Sequence, residues 1–118
     1  MRLEGIVKKG WGYENIFVTN DDYCGKILHF NSGSKSSMHY HLNKKETWHC
    51  LSGMFIIKYI NINDADKREK IFNPGDTWTN HKGIPHQVEC IEEGDILEVS
   101  TPDDSIDNYR IIKGDSQK

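Results

Sequence analysis

Two histidines separated by one residue are the first candidates for chemistry in this sequence. His39 and His41 lie in the stretch GSKSSMHYHLNKKETWHCLSG, whose alternation is typical of a β-strand. Because the side chains of a strand alternate between its two faces, both imidazoles point to the same side. Two imidazoles inside a barrel bury polar nitrogens that need partners, and one metal ion satisfies both. The spacing therefore indicates a metal site.

A carboxylate and a further histidine stand where they can complete such a site. After a short loop the chain enters the next strand at Glu46, whose carboxylate can close on the same ion. In that strand Glu46 shares a face with Trp48 and Cys50, so the alternation puts His49 on the opposite face. Further along, a Gly-Ile-Pro turn delivers His86 to the start of another strand. His86 is therefore a better candidate than His49.

Length and composition set limits on the class of protein. The chain has 118 residues, which suits one domain, here taken as 1–118, with one sizeable core. Charged residues make up 28% and hydrophobic residues 36%, a composition that is neither disordered nor membrane-spanning. The net charge of -3 argues against binding to nucleic acid. No apolar stretch of signal-peptide length opens the sequence, and its three cysteines form no CxxC pair, so a cytoplasmic location is expected.

The periodic signals are nearly all short and strand-like, rich in Ile, Val, Tyr, Phe, Trp and Thr, and separated by turn residues. Many short strands at this spacing predict an all-β sandwich or barrel. The predicted strands cover 14–19, 23–31, 37–42, 47–51, 54–61, 68–72, 76–80, 86–91, 96–100 and 109–112.

The first of the two candidate segments resembles a motif of the cupin superfamily. The motif reads G-x5-H-x-H-x4-E-x6-G. The sequence matches it at every fixed position, namely Gly33, His39, His41, Glu46 and Gly53.

The second segment resembles the second cupin motif, G-x5-P-x-G-x2-H-x3-N. It matches at Gly75, Gly83 and His86. It departs at His81, where the family has proline, and at Cys90, where the family has asparagine. Neither substituted position is a metal ligand in the family, so these departures concern the shape of the loop.

The resemblance implies a fold and a ligand set. The fold is a double-stranded β-helix, a jelly-roll-like barrel, and the implied ligands of a divalent metal are His39, His41, Glu46 and His86. Such a set leaves coordination positions open, as in a catalytic or ligand-exchanging site. Three imidazoles and one carboxylate suit Zn²⁺, Mn²⁺, Fe²⁺, Ni²⁺, Co²⁺ or Cu²⁺, so the ligands leave the metal's identity open.

A narrower resemblance concerns the cupin domain that ends bifunctional mannose-6-phosphate isomerase/mannose-1-phosphate guanylyltransferases. The sequence is similar in its KGWGY entry at 9–13, in the basic residue Lys44 and in the E-x-W step from Glu46 to Trp48. The chain departs from that subgroup at His39, where glutamine is usual, and lacks the nucleotidyltransferase half.

Further side chains could contact a small ligand. Lys35 and Lys44 flank the ligand strand and could attract a phosphate or carboxylate, and His29 could line the cavity beside the metal. His29 could equally be a satisfied core or surface histidine, and lysines in such turns are more often ordinary solvated surface residues. Trp11, Trp48 and Trp78 could stack on a sugar ring, although a tryptophan in a small barrel more often fills the core.

These features support three hypotheses of function. The first is a metal-dependent isomerase acting on a sugar phosphate, which the narrower resemblance favours. The sequence leaves its general base open, because no further carboxylate is clearly in phase with the ligand face. The second is a non-catalytic module that binds a sugar or small metabolite. The third is a metal-dependent dioxygenase. A homodimer is also expected, through residues 2–7, which have no clear place in the barrel.

Overall fold

The structure is a computed structural model that describes residues 4–104 and 106–118. Within these ranges it contains strands and one short 3₁₀ turn, Asp115–Gln117, and no helix long and apolar enough to cross a membrane. The strands are β1 (Gly5–Lys9), β2 (Gly12–Thr19), β3 (Cys24–Phe30), β4 (Met38–Tyr40), β5 (Glu46–Cys50), β6 (Met54–Ile60), β7 (Lys67–Phe72), β8 (Thr77–Asn80), β9 (His86–Glu92), β10 (Gly94–Ser100) and β11 (Tyr109–Ile112).

The strands form two antiparallel sheets. One sheet has the order β1-β2-β3-β10-β5-β8, and the other has the order β11-β4-β9-β6-β7. From β3 to β6, and again from β7 to β10, the chain passes to the opposite sheet with each new strand. This alternation between sheets is the path of a double-stranded β-helix, so the predicted fold is confirmed.

The core lies between the sheets because each strand buries alternate side chains. In β5 the buried positions are Glu46, Trp48 and Cys50, while the two residues between them are only partly buried. The apolar core contains Trp11, Leu28, Phe30, Trp48, Cys50, Phe55, Ile57, Phe72, Val88, Cys90 and Ile96. Polar residues in the inward phase, such as Glu46, are therefore the exceptions that need an explanation.

The ten predicted strands are all present, with ends that differ by two residues or fewer. The prediction was wrong about the first residues of the chain, because β1 has a clear place. It pairs with β2 as an antiparallel hairpin at the edge of the larger sheet, with Ile6 opposite Asn15. Its short length and the exposure of Ile6 hide any alternation in the sequence. Residues 1–3 lie outside the described ranges.

The hairpin between β5 and β6 depends on Gly53. Its φ is 81°, a left-handed conformation that disfavours residues with a Cβ. A Cβ atom at this position would also lie 2.6 Å from the backbone oxygen of Glu92. Both the turn and the close approach of the neighbouring chain therefore require glycine.

Candidate metal centre

Three histidines meet inside the barrel on the smaller sheet. His39 of β4 lies directly opposite His86 of β9 in the strand register, and His41 follows two residues after His39. The ring centroids are 4.7 Å apart for His39 and His86, and 5.0 Å apart for His39 and His41. One ring nitrogen from each of the three lies within 4.8 Å of the others. The structure thus brings together three of the four predicted ligands as one compact group.

Backbone carbonyls orient all three rings in the same way. The Nδ1 atoms of His39, His41 and His86 lie 3.0, 2.6 and 3.0 Å from the carbonyl oxygens of Ser37, Asp107 and Ile84, respectively. A carbonyl oxygen can only accept, so each Nδ1 carries the proton and donates it. In the neutral ring, Nε2 then keeps its lone pair for a metal ion.

Burial keeps two of these rings neutral. Desolvation, together with the neighbouring His86 and His41, lowers the pKa of His39 to about 3. Desolvation also lowers the pKa of His41. At neutral pH both rings are therefore available as metal ligands without losing a proton first.

The fourth predicted ligand, Glu46, reaches the group at His86. Glu46 Oε1 lies 3.0 Å from His86 Nε2, yet among the described residues no group makes a properly aligned hydrogen bond with that buried nitrogen. With the proton on Nδ1, His86 Nε2 and Glu46 Oε1 are two acceptors that face each other at short range. A cation between them would satisfy both atoms, which is the observation that best fits these residues to a divalent metal.

Glu46 is held as an ionised carboxylate by its other neighbours. Asn80 Nδ2 donates to Oε1 at 3.1 Å, and Lys44 Nζ lies 3.0 Å from Oε2. Burial by itself would raise the pKa of Glu46, but the positive charge of Lys44 beside it lowers that pKa well below its usual range. Its second oxygen therefore belongs to an ion pair with Lys44.

The outer face of β5 carries His49, as the alternation predicted. Its Nδ1 lies 2.9 Å from Thr77 Oγ1 on the neighbouring strand, on the side away from the barrel interior. His49 is not part of the three-histidine group.

Asp107 supports the site in a way that sequence reasoning missed. Its carboxylate accepts hydrogen bonds from the backbone N–H groups of Leu42, Asn43 and Lys44 at 2.7, 2.9 and 2.9 Å. Its own backbone carbonyl orients His41. Asp107 thus fixes both the loop after β4 and one of the three imidazoles, although no signal near it in the sequence indicates either role.

A buried charged network lies beside the histidines in the same cavity, which has a volume of about 350 Å³. Lys26 and Lys44 face Glu98 and Asp103, and the side chains of both lysines are less than one-tenth exposed. Trp48 Nε1 donates to Glu98 Oε1 at 3.0 Å. Burial and the negative charge of Glu46 raise the pKa of Glu98 to about 7.

Glu98 corrects the expectation that no further carboxylate faces the cavity. It lies in β10 in phase with Ile96 and Ser100, all three of which are buried. The same alternation that placed Glu46 could have identified it. Lys26 was missed in the same way, since it shares the inner face of β3 with Leu28 and Phe30.

The three predicted ligand-binding side chains differ in position. Lys44 lines the cavity, whereas Lys35 and His29 do not. His29 lies on the opposite face of β3, where its ring stacks on Tyr13 and its Nδ1 lies 2.7 Å from Asp95 Oδ1. The expectation that His29 lines the cavity is corrected, because its neighbours in the strand take the inward positions.

Tryptophans form part of the cavity wall. Trp11 and Trp48 are buried and line the cavity, and Trp11 stacks on Phe30 with ring centroids 4.2 Å apart.

No protein-family model matches the chain, and no curated protein matches it. Solved structures share its fold. CapF, a capsular polysaccharide assembling protein from Staphylococcus aureus, matches at 18% identity and a TM-score of 0.77 over 96% of this chain and 33% of that chain. A mutant of Bacillus subtilis oxalate decarboxylase OxdC matches at 15% identity and a TM-score of 0.74, over 93% and 29% of the two chains. KdgF from a Halomonas species matches at 16% identity and a TM-score of 0.65, over 80% and 81%.

At these identities the similarity establishes the fold alone. The chain spans about a third of the length of the CapF and oxalate decarboxylase chains. CapF has been solved with the inhibitor 3-isopropenyl-tropolone, and the Bacillus subtilis oxalate decarboxylase contains Mn(II) centres. The shared barrel agrees with the resemblance of the two sequence motifs to cupins.

Proposed function

We propose that this protein holds one divalent transition metal through His39, His41, His86 and Glu46, and that it acts on a small ligand in the adjoining cavity. The approach of His86 Nε2 to Glu46 Oε1 carries the proposal, because two buried acceptors 3.0 Å apart call for a cation. The common orientation of the three imidazoles supports it. Zn²⁺, Mn²⁺, Fe²⁺, Ni²⁺ and Co²⁺ all suit these ligands.

The proposed reaction is the isomerisation of a sugar phosphate. When bound, the metal would polarise a substrate carbonyl or hydroxyl and stabilise the negative charge of an enediolate. Glu98 is the proposed general base, which would move a proton between neighbouring carbons of the substrate. It lines the cavity, and a carboxylate with a pKa of about 7 can both accept and return a proton at neutral pH. The similarity to the isomerase-linked cupin domain supports this choice of reaction.

The test combines metal content with turnover. Elemental analysis of the purified protein should find close to one metal per chain, and reconstitution with each candidate metal should reveal isomerisation of mannose 6-phosphate or a related sugar phosphate. Glu98→Gln should keep the metal and lose turnover by about 100-fold or more, because it removes the base and leaves the ligands. A metal-free wild type would refute the centre, and a fully active Glu98→Gln would refute the base.

A ligand-binding module without catalysis is the second candidate. It is favoured by the enclosure of Glu98, whose two oxygens already face Trp48 Nε1 at 3.0 Å and Lys44 Nζ at 3.3 Å. A base held in this way is not free to move toward a substrate. Saturable binding of a sugar phosphate to metal-loaded protein, without turnover by any of the candidate metals, would favour this function; oxygen consumption with Fe²⁺ would instead favour a dioxygenase.

A further inference from the structure

The pair of buried lysines next to the metal ligands holds a carboxylate supplied by the chain itself. Asp103 Oδ1 lies 2.6 Å from Lys44 Nζ, and Asp103 Oδ2 lies 2.5 Å from Lys26 Nζ. Each oxygen of one carboxylate therefore contacts a different ammonium group. The side chains of Lys26 and Lys44 are only 6% and 8% exposed, so this anion position lies inside the cavity.

Asp103 differs from the other carboxylates that face these lysines. Glu14, Glu46 and Glu98 belong to strands, and their side chains are 17%, 3% and 5% exposed. Asp103 belongs to the connection after β10, and its side chain is 39% exposed. Of the four, it is the carboxylate that returns to water at the least cost, because it is the least desolvated in place.

The lysines need the acceptor that Asp103 provides. Lys44 Nζ has three N–H donors and three carboxylate neighbours, at 3.0 Å in Glu46, 3.3 Å in Glu98 and 2.6 Å in Asp103. For Lys26 the contact to Asp103 is much the shortest, since Glu14 and Glu98 lie at 3.4 and 4.0 Å. Without Asp103, a buried donor on each lysine would lack a close partner, and an anionic group with two oxygens would restore both contacts.

We infer that Lys26 and Lys44 form the subsite for the acidic group of the ligand, and that Asp103 occupies this subsite until a ligand carboxylate or phosphate displaces it. The inference deepens the proposed function, since it assigns the anionic end of the same ligand to two named side chains. It also makes Asp103 an internal competitor of ligand binding. The subsite is defined by the two lysines and their carboxylate partners, and its definition does not depend on a bound metal ion.

The test is a calorimetric titration of the purified full chain with three probes, D-glucuronate, D-glucose 6-phosphate and D-glucose. Asp103→Asn removes the internal carboxylate while keeping its size. Asp104→Asn is the matched control, because it removes one charge from the neighbouring residue and keeps the Oδ1 atom that accepts the N–H of Ile106 at 3.0 Å.

Asp103→Asn should bind at least one of the two anionic probes about three- to tenfold more tightly than the wild type, the range expected for removing a partly exposed ion-paired competitor. Asp104→Asn should resemble the wild type, and D-glucose should bind all three proteins alike. A gain for glucuronate alone identifies a carboxylate subsite, and a gain for glucose 6-phosphate alone identifies a phosphate subsite. Equal gains in both variants, or no gain with either anion, would overturn the inference.

A second substitution checks that the gain comes from the lysines. Adding Lys26→Met to Asp103→Asn should abolish the gain, whereas adding Lys26→Arg should keep most of it because the charge remains. Circular dichroism establishes that each variant is folded, and a gain that survives Lys26→Met in folded protein contradicts the assignment. Turnover is measured separately, so tighter anion binding without isomerisation would leave the subsite standing and refute only the proposed reaction. Isomerisation together with equal anion binding by Asp103→Asn and the wild type would support the proposed reaction and refute the subsite.

Discussion

Replacing Asp107 is expected to weaken both the fold and the metal centre, although this residue is not a ligand. Its buried carboxylate accepts three backbone N–H groups, one at Oδ1 from Leu42 and two at Oδ2 from Asn43 and Lys44. Asparagine has one amide oxygen, which can accept either from Leu42 or from Asn43 and Lys44, and its N–H₂ group then faces the remaining donors. The substitution therefore removes at least one hydrogen bond, places two donors against each other and removes the negative charge, with almost no change in size.

The magnitude follows from these contacts. A hydrogen bond to a charged group contributes about 1.5–3 kcal/mol, and partial relaxation of the loop offsets some of the loss, so Asp107→Asn should lower the free energy of unfolding by about 2–4 kcal/mol. In Asp107→Asn the loop after β4 is held less firmly against residue 107, whose backbone carbonyl orients His41. Loss of such an outer partner of a ligand should weaken metal binding by about 10- to 100-fold.

The pH dependence gives an independent readout. Burial works against ionisation of Asp107, but the three backbone N–H groups outweigh it and hold its pKa below the ordinary value. Because the folded-state pKa is the lower one, this stabilisation is present above about pH 4 and is lost as the pH falls through the folded-state pKa. The difference in stability between wild type and Asp107→Asn should therefore narrow below about pH 4.

The assay is urea denaturation at several pH values, together with a competitive metal titration against a chromophoric chelator. Asp104→Asn serves as the control, since it is an exposed aspartate in the same connection and should change stability by no more than about 0.5 kcal/mol. The reasoning is refuted if Asp107→Asn matches this control in both stability and metal affinity, or if its deficit in stability is the same at pH 3 and pH 7.

Three further predictions concern the site, a turn and the assembly. His86→Gln should remove most of the bound metal, whereas His49→Gln should leave it near the wild-type level by elemental analysis; the reverse order would contradict the strand phase. Gly53→Ala should cost about 2–4 kcal/mol in chemical denaturation, because a left-handed φ is combined with a contact of 2.6 Å to the backbone oxygen of Glu92. Gly33 has a φ of 79°, and apart from its two chain neighbours no heavy atom of the described residues lies within 4 Å of an added Cβ, so Gly33→Ala should cost only about 1–2 kcal/mol. Equal costs of the two substitutions would show that the close contact at Gly53 is unimportant. Light scattering should detect a homodimer, with Ile6 of the exposed edge strand as a candidate contact, and a monomer at high concentration would contradict this.

Local alternation explains what could be predicted from the sequence alone. The period of two in β5 places Glu46 inward and His49 outward, and the same period places His39 and His41 on one side. Turn chemistry located the strand ends to within two residues, and Gly53 marks a hairpin because few other residues adopt its conformation. These are properties of short stretches of backbone, so they can be predicted from the sequence alone. The same alternation places Glu98 on the inner face of β10, which the sequence-based prediction of the site did not include.

Only the tertiary structure decided which side chains meet across the barrel. Asp107 orients His41 from 66 positions away in the sequence, and Asp103 joins Lys26 to Lys44 from the far end of the chain. Alternation predicts that a side chain points inward. The residues that it then faces depend on strand register and on how the two sheets pack, and both are set by the closure of the whole barrel. Lys44 illustrates the difference: its sequence position suggested a residue at the mouth of the barrel, and the fold buries it among three carboxylates.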